Sequence, residues 1–557
     1  MRFPCLALSV GGLFAPAAAP NLEHFFPVTV QVGTTNHLLA LGAFDPWPVQ
    51  LTADSPGILF TAETNKAKFT AVVSPETPLG PHLIWAFNEA GASSPRFLIV
   101  TPEAAVAEVE PNDDFRKPQW ITNFPAHVNG RLEKNGDVDC FGVTLTAGQT
   151  LVAAVEAYTL MTGVDALLRL TDSRGLQLAW NHDDGRTLDP LLAWTAPVAG
   201  TYIVQVMGFI YPAGSDVRLH GSEKTVYRLH LHTGPYVHHT VPLGIQRQAR
   251  TALHLVGWNL GALADHPFDY DAPALSAEET TQRLMIPGVE NSVKVLVGEG
   301  PELVEIEPND ALTNAPVLLI PCAVTGVIDP ANDRDRYAFD ARKDERLLFS
   351  VQSAALGFPL DPWLEIQDPA GKTLVTVDDT NGADPEVTWT SPSEGRFQVV
   401  IGNRFHRGGP DHRYRLSVLR PSPEFRATVA APTLTLQQGT TNEVKLTVTR
   451  NHGHTNRVIA AFKGLPEGVS AAPMEAPEKS GDLTLKLIAA TNAPLFSGRV
   501  QAVVRGDFGE RPAWFELVTA GENNGVPQGF KELVIPRTDQ LWLTIARPGT
   551  NTVLEKK

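Results

Sequence analysis

Apolar and polar residues alternate in short runs along most of this chain, and turn residues separate the runs. Residues 28–32 (Val-Thr-Val-Gln-Val) and 434–437 (Leu-Thr-Leu-Gln) each place every second side chain on one side, which is the period of a half-buried β-strand. Both runs lead into Gly-Thr-Thr-Asn, at 33–36 and 439–442, and then into a second apolar run, Leu38-Leu39-Ala40-Leu41 or Val444-Lys445-Leu446-Thr447-Val448. The pattern predicts strand, glycine-containing turn, strand, with the flanking strands antiparallel. A middle segment echoes it in Ile245-Gln246-Arg247-Gln248 followed by an alternating run over 251–257. Further strands are expected at 140–145, 151–157, 337–339 and 347–352. Gly200-Thr201-Tyr202-Ile203-Val204-Gln205-Val206 and Gly395-Arg396-Phe397-Gln398-Val399-Val400-Ile401 read as core strands.

The same acidic opening occurs twice, as Glu108-Val109-Glu110-Pro111-Asn112-Asp113 and Glu305-Ile306-Glu307-Pro308-Asn309-Asp310. Gly130, Asp137, Asp139, Phe141, Asp165, Asp172, Gly175 and Leu178 then have counterparts 196 positions later, at Gly326, Asp333, Asp335, Tyr337, Asp361, Asp368, Gly371 and Leu374. Asp183-Asp184, Asp189-Pro190 and Gly200 match Asp378-Asp379, Asp384-Pro385 and Gly395 at 195, so one deleted residue explains the change of offset. One module is therefore present twice, with three other segments before, between and after. Those three resemble small immunoglobulin-type sandwiches, the middle one short.

Composition agrees with an all-β chain. Its 557 residues exceed what one hydrophobic core supports, and 45 Gly with 45 Pro fit many short strands joined by turns. A net charge of −16 opposes binding to nucleic acid or an anionic membrane and favours cations. Met1-Arg2, an apolar stretch to Phe14 and Ala15-Pro16-Ala17-Ala18-Ala19 read as a secretory signal over 1–19. No other stretch approaches the roughly 20 apolar residues of a membrane-spanning helix. Cys140 and Cys322 occupy non-equivalent repeat positions and are expected as buried thiols rather than a bridge.

The E-P-N-D opening, the Gly, the Asp-x-Asp-x-aromatic strand, the Asp-x-x-Gly turn, the Asp-Asp loop and the closing Gly-x-aromatic strand together resemble the bacterial pre-peptidase C-terminal domain. The likeness runs over about 107–235 and 302–420. It implies jelly-roll-like β-sandwiches of the kind attached to secreted enzymes or large surface proteins as accessory, targeting or binding modules. The division expected is a signal at 1–19, an immunoglobulin-like sandwich at 20–102, a repeat at 103–235, a short immunoglobulin-like unit at 236–300, a repeat at 301–420 and an immunoglobulin-like sandwich at 421–557. Pro-containing junctions at 101–103 and 420–423 suit short, stiff linkers, and an elongated molecule is expected.

Calcium is the sharpest chemical expectation. In an extended segment Glu108 and Glu110 project to one side, and the Pro turn brings Asn112 and Asp113 back toward them. Asp137 and Asp139 follow the next strand and could complete a shell of oxygens. The second repeat offers Glu305, Glu307, Asn309, Asp310, Asp333 and Asp335. The resemblance implies the same role, since the related collagen-binding domains of bacterial collagenases bind calcium through this opening. The competing reading is a solvated acidic turn whose Asn and Asp cap local backbone groups.

Other motifs carry less. Asp183-Asp184-Gly185 and Asp378-Asp379 read as turns, without the carboxylate spacing of an EF-hand. His230-Leu231-His232 puts two imidazoles on one strand face and needs a third ligand to hold a transition metal; with none nearby in sequence, it and the pairs His238-His239 and His452-Gly453-His454 read as exposed strand histidines. Nucleophile-elbow, zincin, P-loop and dinucleotide motifs are missing, and modules of this size leave no stretch for a catalytic domain. The expected protein is an exported, non-catalytic binding or adhesion scaffold whose repeats calcium stiffens. Its expected ligand is an extracellular polysaccharide or protein, with Trp180, Trp363, Phe405 and Tyr211 as a candidate aromatic platform. The alternative is an accessory subunit of a separate secreted hydrolase or peptidase.

Overall fold

The computed structural model describes residues 18–211, 218–275, 278–380, 382–518 and 533–548. Most of the expected signal, 1–17, therefore lies outside the described residues. Within them the chain is all-β, a series of sandwiches whose strands are joined by turns and short 3-10 segments.

The first sandwich has one sheet in the order Asn21–Phe26, Thr35–Ala43, Lys68–Val73, Ile58–Ala62 and a second in the order Thr29–Gln31, Arg96–Thr101, Gly80–Asn88, Gln50–Ala53. Its core joins Phe25, Leu38 and Phe69 of one sheet to Val30, Ile84 and Leu98 of the other. The two strands around Gly33 do not pair with each other, contrary to the antiparallel pairing expected from sequence. Thr29–Gln31 runs parallel to Arg96–Thr101, whereas Thr35–Ala43 pairs with Asn21–Phe26 and Lys68–Val73. The turn is a crossover between sheets, closed by its own polar side chains: Thr34 Oγ1 donates to Gln31 O at 2.9 Å, and Asn36 Oδ1 accepts from Gln31 N at 3.1 Å. The middle and last units cross in the same way. Gly244–Gln246 runs parallel to Ser292–Gly298, and Thr433–Gln437 runs parallel to Leu541–Ala546.

The two repeats share one topology. In the first, one sheet is ordered Val106–Ala107, Ala126–Arg131, Val226–His232, Thr150–Glu156, Leu191–Thr195, and the other Gln119–Trp120, Asp139–Leu145, Gly200–Ile210, Val164–Asp172, Gln177–Asn181. In the second the orders are Glu302–Val304, Cys322–Val327, Arg413–Leu419, Arg346–Gln352, Glu386–Thr390 and Val317–Leu318, Arg334–Ala341, Gly395–Asn403, Pro362–Gln367, Thr373–Val377. The strand opening with Gly200 or Gly395 is central in its sheet, as its apolar run requires.

The repeated polar residues are explained by local bonds. Asp172 Oδ1 accepts the amides of Arg174 and Leu176, and Asp368 Oδ1 accepts those of Ala370 and Lys372, at 2.8–2.9 Å. The chain then turns through Gly175 and Gly371 at φ of 84° and 82°, a region that penalises any Cβ. Asp189 accepts the amides of Ala157, Tyr158 and Thr159, and Asp384 those of Ser353, Ala354 and Ala355. Each buried carboxylate thus satisfies three backbone donors of a tight turn. Cys140 and Cys322 are free and buried.

The molecule is not the elongated string that its linkers imply. Val28, Leu83, Trp85, Phe97 and Ile99 of the first sandwich share one apolar cluster with Tyr158, Leu160 and Tyr211 of the first repeat and Leu517, Leu533 and Trp542 of the last unit. Trp85 stacks on Trp542 with ring centroids 6.2 Å apart, and Arg499 donates to the Ala53 carbonyl. The physical reason is that Gly80–Asn88 is buried on both faces through Leu83-Ile84-Trp85-Ala86, so one face seeks a second partner. The first and last units therefore meet. Among the described residues no helix is long and apolar enough to cross a membrane.

Candidate cation sites in the two acidic openings

Each opening segment lies across the edge of its repeat. In the first repeat Glu108 Oε2 accepts the Arg131 amide at 2.8 Å, and its Oε1 accepts Tyr227 Oη at 2.9 Å and Asn112 Nδ2 at 3.3 Å. Tyr227 also reaches Asp139 Oδ2 at 2.6 Å. Glu110 Oε2 accepts the Asn112 amide at 3.0 Å, and Asp137 Oδ2 accepts the Glu133 amide at 2.5 Å. One carboxylate oxygen from each of Glu110, Asp113, Asp137 and Asp139 lies within 4.8 Å of the others.

The second repeat repeats this construction. Glu305 Oε2 accepts the Val327 amide and its Oε1 accepts Asn309 Nδ2, both at 2.8 Å. Tyr414 donates to Asp335 Oδ2 at 2.5 Å, and Tyr337, standing where the first repeat has Phe141, bonds Glu305 at 3.1 Å and Tyr414 at 2.8 Å. Asp335 belongs to two overlapping groups, one with Glu305 and Glu307, the other with Asp310 and Asp333. Every residue expected from sequence as a cation ligand thus falls in or beside one of the two clusters.

Four glycine and tyrosine positions were not singled out as site residues, and they form the floor of both sites. A Cβ on Gly130 would fall 2.2 Å from the Tyr227 ring, and one on Gly326 2.3 Å from Tyr414 Oη. Glycine is needed there so that each tyrosine can lie flat across the strand and reach the carboxylates. The recurrence of Gly130 as Gly326 was the available signal.

The electrostatics are those of crowded acids. Burial and the neighbouring Glu108 push Asp139 up to about 10, and burial with Glu305 does the same to Asp335. Burial and Asp113 raise Asp137 to about 6, and burial and Asp310 raise Asp333 to about 7. Burial also raises Glu108, Glu110 and Glu307. Asp113 is instead lowered by its bond to Lys134, whose Nζ lies 2.8 Å from Asp113 and 3.7 Å from Asp137.

A hard cation fits this donor set. Glu110 Oε1, Asn112 Oδ1, Asp137 Oδ1 and Asp139 Oδ1 in the first repeat, and Asn309 Oδ1 and Asp335 Oδ1 in the second, are buried oxygens without a hydrogen-bond partner. A buried oxygen left without a donor is costly, and about 6–8 such oxygens are what calcium collects.

The remaining candidates are placed as follows. Asp184 accepts the Arg186 amide at 2.9 Å in a turn through Gly185, while Asp165, His182 and Asp183 come together as a small group. The aromatic platform is not assembled: Tyr211 is buried against Tyr158, and Arg334 covers Trp363 at 5.5 Å, although Trp180 and Phe405 are exposed. The histidines are not the exposed strand residues expected. His454 is buried between Arg450 and Asp507, His232 is 2% exposed, and the cross-strand neighbour of His230 is a third histidine, His127.

The geometry defines an all-β protein of tandem sandwiches with two oxygen-lined clusters. No family model matches the chain. A stretch of 102 residues, 17% of the chain, is 35% identical to a probable subtilase-type serine protease of Deinococcus radiodurans and spans only 14% of that protein. Among solved structures the chain is similar to the pre-peptidase C-terminal domain of a collagenase from Bacillus anthracis, at 13% identity, 24% of this chain, 99% of that one and a TM-score of 0.16. It is similar also to fibronectin(III)-like modules of CbhA from Clostridium thermocellum, at 11% identity, 39% of this chain, 93% of that one and a TM-score of 0.14.

Proposed function

We propose that this chain is an exported, non-catalytic adhesion or binding scaffold in which two modules of the pre-peptidase C-terminal type alternate with immunoglobulin-like sandwiches, and in which calcium stabilises both modules. The observation that carries the reading is the set of buried, unpartnered oxygens that the two openings share, Asn112 and Asp139 in one and Asn309 and Asp335 in the other. Calcium would take Glu110, Asn112, Asp113, Asp137 and Asp139 in the first module, with Glu108 beside them. In the second it would take Glu305, Glu307, Asn309, Asp310, Asp333 and Asp335. Its binding would offset the repulsion among these acids and fix each opening segment against its sandwich. The ligand such a scaffold presents itself to is an extracellular polysaccharide or protein.

Calorimetric titration of the chain with calcium, with thermal melts in parallel, tests this. Saturable binding of about two ions per chain and a raised melting temperature are expected. Glu307→Ala combined with Asp310→Ala should lower the melting temperature in calcium and leave it unchanged in chelator; equal losses in both overturn the reading.

The partial match to a probable subtilase-type serine protease favours a second reading, an accessory subunit that acts with a separate secreted hydrolase or peptidase chain. Co-purification of a catalytic chain with the tagged protein from its native source would support it, and recovery of the protein alone would remove it.

A further inference from the structure

His127, His230 and His232 lie on the face of the first repeat's sheet opposite its core. Their strand neighbours Ala126, Val128, Leu229 and Leu231 point inward into the apolar cluster, so period two sends the histidines outward. His127 stands directly across from His230, and their Nδ1 atoms are 2.7 Å apart. His230 and His232, two apart on one strand, hold their rings parallel within 5°. One nitrogen from each of the three rings lies within 4.8 Å of the others.

Three further observations point to a ligand rather than to packing. The second repeat, with the same register, has Ala323, Ser417 and Leu419 at these positions, so the fold does not require histidine there. His230 Nε2 is buried without a hydrogen-bond partner, with Glu156 Oε2 3.3 Å away. His232 Nδ1 meets Glu290 Oε2 at 2.8 Å. Glu290 comes from the middle unit and is carried over Gly234, where a Cβ would fall 2.2 Å from its Oε1. A carboxylate on one ring nitrogen fixes the tautomer and leaves the other nitrogen as a lone-pair donor, the usual support of a metal-binding histidine.

We infer that His127, His230 and His232 form a binding site for a divalent transition-metal ion of the zinc type, supported by Glu156 and Glu290, at the junction of the first repeat and the middle unit. Zinc takes imidazole nitrogen readily, whereas calcium prefers an all-oxygen shell, so this site and the acidic openings select different ions. The ion would take the place of the single proton that His127 and His230 can share. Through Glu290 it would tie the middle unit to the first repeat.

The test is a zinc titration of the full chain by calorimetry, in buffer containing calcium so that the acidic openings do not compete. One zinc ion per chain is expected. His127→Ala combined with His230→Ser, which installs the residues of the second repeat, should weaken binding by at least about 100-fold, and Glu290→Gln by about 10-fold. Calcium uptake should be unchanged in both, which separates failure here from failure of the calcium reading. Absence of zinc binding, or unchanged binding in the folded double variant, overturns the site. Zinc-edge X-ray absorption on the unaltered protein decides the matter even if the variant does not fold: a shell with about three imidazole nitrogens supports the site, and an oxygen-only shell overturns it.

Discussion

The two repeats have one topology and one acidic opening, yet they neutralise their charges differently. The first places Lys134 against Asp113 and Asp137, whereas the corresponding position of the second is Pro330, which carries no charge. An equivalent arginine also changes partner. Arg228 of the first repeat pairs with Glu156, which is 32% exposed, while Arg415 of the second pairs with Glu302, whose side chain is fully buried. Strand pairing and the acidic cluster are thus common property of the module, and the cations that surround it are local choices. The first repeat carries its own counter-ion at the site; the second spends its arginine on fixing the segment that leads into the site.

That contrast can be broken at several points. The largest effect is expected from Arg415→Ala, which strands a buried Glu302 and should cost about 3–5 kcal/mol in urea denaturation, against a smaller loss for Arg228→Ala, whose partner Glu156 keeps His230 Nε2 3.3 Å away. Similar losses would mean that the two arginines do the same work. Next, Tyr414→Phe should remove about 1–3 kcal/mol in chelator, because Asp335 Oδ2 loses its donor, and Tyr227→Phe should match it, since Tyr227 binds Asp139 in the same way.

A pH series measured in chelator sharpens the comparison further. Burial raises Asp137 to about 6 and Asp333 to about 7, above the unfolded value of about 3.9. The folded chain therefore holds more protons than the unfolded chain in that window. Stability should increase as pH falls from about 7 toward about 4 and be lost as pH rises through the folded values. Asp333→Asn should flatten the melting profile up to about pH 7, and Asp137→Asn only up to about pH 6. The smallest effect is expected from Lys134→Ala: removing the resident ammonium should tighten calcium at the first site about 5-fold and leave the second site unchanged.

The repeat was legible because its polar residues answer to local geometry. Asp172 with Gly175, and Asp189 above its three amides, are demanded by turns that both copies share, so they recur in register and announce the module. The acidic openings were legible as a recurring cluster for the same reason. Tyr227 and Tyr414 were not, because they come from a strand about 90 residues downstream of Asp139 and about 80 downstream of Asp335, and nothing local marks a tyrosine as lying over a glycine. His127 was missed as the third member of its cluster because cross-strand pairing with His230 spans 103 positions. The return of the last unit to the first also has a local signal, in two runs outside the alternating segments from which the units were read. Leu83-Ile84-Trp85-Ala86 breaks the alternation of a one-sided strand, and Leu541-Trp542-Leu543 does so again. An unbroken apolar run signals a strand covered on both faces, and here the second cover comes from the far end of the chain.

The Trp85 and Trp542 contact also determines how the molecule would carry load. Tension applied between residues 20 and 546 would fall first on the interface of the first and last units. Of the three units between them, the first repeat is itself part of that interface through Tyr158, Leu160 and Tyr211, and the other two are shielded until it parts. Force would then pass abruptly into the middle of the chain, so extension is expected to begin with one release at the clasp, before any sandwich unravels.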